Sequence, residues 1–210
     1  MPIELAEFGT IITFLGCMCA TVQVSTGFYA GYVLEKPALL TTDKILNRSH
    51  RAFGGFATTL YLLGLFNGVN TLVSALRIGD PPLELSSISF NVHTWISIPI
   101  VGIFAWKTWL SYFDKAKLYR KRKWLGPAMF TVWAFTWITA AISYYVRTLP
   151  ANPQHSPPSF LLPARLMGVQ IVLPFVIGGL IGVIVLKKFK KSQPRGSGEE
   201  GPDKGKAADK

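Results

Sequence analysis

The sequence predicts an all-α polytopic membrane bundle of about five transmembrane helices, with the N-terminus outside and the C-terminus in the cytoplasm. Two observations predict it. Half of the 210 residues are hydrophobic, and they cluster in long runs rather than spreading periodically. A run of roughly 18 or more apolar residues can cross a hydrocarbon core, and a soluble helix rarely needs apolar residues on every face. The basic residues fall between these runs, on alternate loops, which is a topology signal.

The first run covers 8–34. The residues before it, Met1 to Glu7, carry two glutamates and no basic residue. A cleavable signal would start basic and have a shorter apolar stretch. Cys17 and Cys19 lie in this run. Two apart on a helix, they point to different faces, so they read as buried thiols rather than a disulfide or a shared metal site. The second span covers 52–76, the third 92–110, the fourth 124–146 and the fifth 161–186. The bundle therefore occupies 1–191. Residues 192–210 are Gly, Pro, Ser, Lys and acidic residues, which bury no apolar surface and form a disordered basic tail. Lys187, Lys188, Lys190 and Lys191 are suited to anionic lipid headgroups. The 148–163 loop carries Pro150, Pro153, Pro157, Pro158 and Pro163. It reads as an extended, semi-rigid cover over the outer mouth or a contact for a partner.

Sorting the basic residues sets the orientation. Of the 22, 19 fall between spans one and two, between spans three and four with Lys107 just inside, or after span five. Only Arg77, Arg147 and Arg165 fall on the other side. The rich side is cytoplasmic by the positive-inside rule. The net charge of +11 thus reads as membrane topology and excludes nucleic acid as the partner. Trp106, Trp109 and Trp124 near the inner boundary, with Trp95 and Trp137 near the outer, form an interfacial belt.

No acidic residue falls inside these spans, which counts against a proton- or cation-coupled carrier. There is no evident internal repeat, no zinc motif, no nucleophile elbow and no Gly-rich phosphate loop. The chain reads as an electron carrier or accessory subunit rather than an enzyme. Gly27–Gly31, Gly64–Gly68 and Gly178–Gly182 are small-xxx-small pairs for close helix packing or contact with other membrane subunits. Asn67 and Asn70, three apart, suit a hydrogen bond across a helix interface or a quinone carbonyl.

Three histidines remain. His50 opens span two, His93 opens span three and His155 lies in the proline-rich loop. Histidine is a common axial ligand of haem iron. Gly54 stands one turn beyond His50, leaving room for a flat macrocycle, and Arg48 and Arg51 could pair with propionates. His50 and His93 lie near opposite faces and cannot share one haem. Met129 is the soft ligand available to His50, and Met167 or His155 to His93. A chlorophyll-type pigment, needing one axial ligand, would also suit single histidines. His50 and His93 read equally as interfacial polar residues without a cofactor, and His155 more readily so.

The opening His50-Arg51-x-x-Gly54, in a span continuing with Gly64 and Gly68, resembles small membrane cytochromes b of the di-haem and ferric-reductase-like type. The His93 span, with Lys107 and the basic loop before Leu125-Gly126, is loosely similar. The resemblance covers about 47–147. It implies haem b and transmembrane electron transfer. The chain is expected to serve a respiratory or photosynthetic system in a bacterial plasma (inner) membrane. In those proteins each haem has paired histidines on facing helices; here the second histidine of each pair is missing.

Overall fold

The computed structural model describes residues 3–77, 88–150 and 157–193, and among them every regular element is helical. Helix α1 spans Ile3–Phe28 and continues through a π-helical turn, Tyr29–Val33. A short α2, Leu39–Thr42, leads into α3, Lys44–Arg77. Helices α4, Ile88–Phe113, and α5, Lys115–Thr148, follow. A 3-10 turn, Ala164–Leu166, opens α6, Met167–Ser192.

Four stretches are long and apolar enough to cross a membrane: Ala6–Val33, Lys44–Asn70, Trp124–Val146 and Ala164–Ser192. They match the first, second, fourth and fifth expected spans. The third differs. In α4 the apolar helical stretch among the described residues is Ser97–Leu110, short of the roughly 20 residues of a full span.

Helix starts also differ from the hydropathy pattern, because caps set them. Asp43 Oδ1 accepts from the backbone N–H of Ile45 at 2.9 Å and of Leu46 at 2.8 Å, so α3 begins well before its apolar run. Asp114 does the same for α5, accepting from Lys117 N–H at 2.9 Å. The basic segment between spans three and four is therefore the first turns of α5 rather than a loop, and Asp114 alone separates α4 from α5.

Helix α1 is the hub. It packs against α3, α5 and α6, while α4 packs on α5. Glycines on three helices set these approaches. A Cβ on Gly178 would stand 2.6 Å from Met18 O and 2.7 Å from Thr21 Cβ, and one on Gly182 would stand 3.0 Å from Ser25 Cβ. The Gly178–Gly182 pair is thus the α6 face that meets α1. Gly16 of α1 receives the Trp133 ring, whose Cη2 would be 2.6 Å from a Cβ there. Gly31 and Gly68, by contrast, face open space.

Cys17 and Cys19 are buried free thiols. Trp95, Trp106, Trp109 and Trp124 are exposed, as an interfacial belt requires. Trp137 is not part of that belt. It is wholly buried against Phe14 and Cys17, and its Nε1 donates to Ile171 O at 2.8 Å.

Glu7 corrects a second expectation, since the apolar stretch begins at Ala6 and takes this carboxylate in. Glu7 is 4% exposed. Its Oε1 accepts from three successive backbone N–H groups, Ser159 at 3.0 Å, Phe160 at 2.7 Å and Leu161 at 2.9 Å. The Tyr144 hydroxyl is a further partner. Consecutive amides converging on one oxygen form an anion-binding concavity. The described part of the proline-rich loop is thereby tied over the start of α1.

Candidate functional site

The end of the bundle where α1 finishes and α3 begins carries Lys36, Lys44, Arg48 and Arg51. At this basic end lies a half-open cavity of about 190 Å3 between α1, α3, α4 and α5. Gln23, Gly27, His50, Lys107, Met129 and Trp133 line it, with Phe28, Tyr32 and Phe130 as further aromatic wall. Its lining includes one ammonium and no carboxylate.

His50 is half-buried, with its ring against α1 where Gly27 leaves room: a Cβ on Gly27 would stand 3.2 Å from His50 Cε1. His50 Nδ1 is 3.1 Å from Thr26 Oγ1. The Thr26 hydroxyl proton is spent on its own helix, donating to Val22 O at 3.1 Å and Gln23 O at 2.9 Å. With that proton so placed, a neutral His50 in the Nδ1–H tautomer fits the Thr26 contact. The ring also hydrogen-bonds the Gln23 carbonyl. A neutral imidazole held this way has its lone pair on Nε2, the tautomer a second-shell partner imposes on a metal-binding or hydrogen-bond-accepting histidine.

His93 repeats the device elsewhere. Its Nδ1 is 3.2 Å from Thr139 Oγ1, and Thr139 donates to Phe135 O at 2.8 Å and Thr136 O at 3.2 Å. Tyr61 Oη donates to Ser97 O at 3.2 Å, which registers α3 against α4. By helical rise from that contact, the two histidines are separated by about 22 Å along the bundle. They cannot share a cofactor, as the sequence requires.

The structure brings Met129 to the His50 cavity, where it is buried. Arg48 and Arg51 are exposed and do not line it; the basic group that does is Lys107, which the sequence suggests merely snorkels to the surface. Lys107 lies within electrostatic reach of His50. Gly54 does not provide open space for a macrocycle. A Cβ there would overlap the amide of Gln23, so the room beside Gly54 is filled by that side chain. Met167 opens α6 and takes no part in the cavity. His155 lies outside the described residues. Asn67 packs against Gly9 of α1, its Nδ2 3.2 Å from where a Cβ would stand, as a helix-interface residue would. No cluster of three or more His, Cys, Asp or Glu able to hold a metal ion occurs among the described residues.

Thr26, Thr139 and Gln23 are the site residues that sequence reasoning misses as partners of the histidines. The one available signal is that Gln23 and Thr26, three apart, put polar groups on one face of an otherwise apolar helix. No family, no curated protein and no solved structure matches the chain.

Proposed function

We propose that this chain is an integral membrane subunit of an electron-transfer system, with the basic-end cavity as its redox-ligand site. In this reading α4 is the third of five spans, the N-terminus is outside and the basic end is cytoplasmic. The 19-to-3 split of basic residues supports the orientation. The observation that carries the function is His50 in a mostly apolar cavity, its Nδ1 3.1 Å from Thr26 Oγ1; in the Nδ1–H tautomer its Nε2 lone pair is available to a ligand.

The cytochrome b resemblance implies haem b as the ligand. The donor set agrees with it, since His50 and Met129 line one cavity and His–Met ligation is established haem chemistry. The room does not. The cavity is smaller than the roughly 300–1,000 Å3 that encloses a drug-sized ligand, and Gln23 occupies the Gly54 side. A macrocycle enters only if Gln23 swings out and the cavity widens between α1 and α5. His93, with the same threonine clamp, would serve a separate outer group.

The visible spectrum of purified protein, oxidised and reduced, decides whether haem is bound. The haem reading requires a Soret band and a pyridine-haemochrome signal. His50→Ala should abolish the band of the inner haem, and Thr26→Val should shift its reduction potential while leaving the fold intact. A spectrum unchanged in His50→Ala removes that residue from any haem site. The filled Gly54 face favours a second reading, a cofactor-free accessory subunit of a larger membrane complex. Colourless protein that binds no redox ligand and co-purifies with other membrane subunits supports it. A chlorophyll-type absorbance would instead support the pigment alternative.

A further inference from the structure

With Gln23 in place, the cavity is tight for a porphyrin and has room for one substituted six-membered ring. Its polar groups are sorted. Lys107 and the Gln23 amide supply hydrogen-bond donors, His50 Nε2 supplies an acceptor, and no carboxylate is present. A ligand head that offers oxygens as acceptors in one state and hydroxyls as donors in another uses this whole set. A fatty-acid carboxylate would accept from Lys107 and Gln23 but offer His50 Nε2 no donor. Phe28, Tyr32, Phe130 and Trp133 give the cavity aromatic walls for a flat ring. The cavity is half-open, so an alkyl tail need not be enclosed by it.

From these features we infer that the cavity binds a lipid-soluble quinone. Its carbonyl oxygens accept from Lys107 and Gln23, and the hydroxyl of the reduced form donates to His50 Nε2. This rests on the electron-transfer reading above and names the ligand class of that same site. Thr26 is a positioning residue: it holds the acceptor nitrogen of His50 towards the ring.

The test uses the full-length protein in lipid nanodiscs, titrated with a decyl-substituted benzoquinone and its hydroquinone while tryptophan fluorescence is recorded. A saturable quenching phase, absent from Trp133→Phe, is expected over the collisional background. Lys107→Gln and Gln23→Leu should each weaken the quinone affinity about tenfold, the loss of one charge-assisted or buried hydrogen bond. Thr26→Val should weaken the hydroquinone more than the quinone, a split that a purely structural role would not produce. If thermal melting shows Lys107→Gln to be misfolded, Gln23→Leu carries the decision. The inference falls if wild type shows no saturable phase, if that phase survives both Trp133→Phe and Gln23→Leu, or if decanoate displaces the quinone at equal concentration. A His50-dependent Soret band without quinone binding overturns the quinone and leaves the electron-transfer reading standing. Absence of both overturns the two together.

Discussion

Replacing Glu7 probes a single oxygen atom. Oε1 alone meets all three amides of Ser159, Phe160 and Leu161, whereas among these amides Oε2 reaches only Ser159, at 3.2 Å. Glu7→Gln keeps a carbonyl oxygen at that position, so it should retain most of the clamp. Glu7→Leu removes the acceptor and should cost on the order of 2 kcal/mol, since hydrogen bonds to a charged group are worth about 1.5–3 kcal/mol and water can reach the exposed loop residues. Denaturant unfolding in detergent, with amide exchange at residues 159–161, checks both. Equal losses for the two substitutions would contradict the geometry. Neither this clamp nor the Thr26–His50 pair was legible in the sequence. Their partners lie 24 or more residues apart on different segments, and nothing in a local pattern couples them. The histidines themselves were legible, because a polar ring at the head of an apolar run stands out.

Among the elements, the seam between α1 and α6 makes a sharp contrast between adjacent glycines. Gly178→Ala would drive a methyl group into Met18 O and Thr21 Cβ. It should destabilise the fold by about 1–3 kcal/mol, the usual cost of overpacking. Gly179→Ala meets nothing within 4 Å and should be neutral or slightly stabilising through helix propensity. Thermal melting of the two variants under one set of conditions distinguishes them. The apolar runs of four helices could be read directly, because their length and composition are the signal. Their polar first turns could not, because those are set by Asp43 and Asp114 caps that hydropathy ignores. Trp137 was misread for a related reason. A tryptophan near a span end suits the interface, and only the position of Ile171 O shows that its indole N–H is used inside.

For the whole molecule, the orientation is open to direct measurement. Phe160 is 85% exposed beside the Glu7 clamp, and Lys190 is exposed at the basic end. With Cys17 and Cys19 buried as background, Phe160→Cys should react with a membrane-impermeant maleimide on intact cells, and Lys190→Cys only after permeabilisation. The reverse pattern would invert the topology and move the His50 cavity to the outer face. If the cavity holds a quinone, a cytoplasmic and an outer position would exchange protons with different compartments, and this labelling distinguishes them.

The central place of α1 bears on how the protein comes into being. Helix α1 leaves the ribosome before α3, α5 and α6, all of which rest on it. Its Glu7 has partners about 150 positions later in the chain. During synthesis this helix must wait in the bilayer with a carboxylate at its edge and its glycine-facing surfaces bare, until α6 has emerged. The chain therefore closes from its last helix back onto its first, and a nascent fragment stopped before α6 is a natural client for whatever machinery shelters half-built membrane proteins.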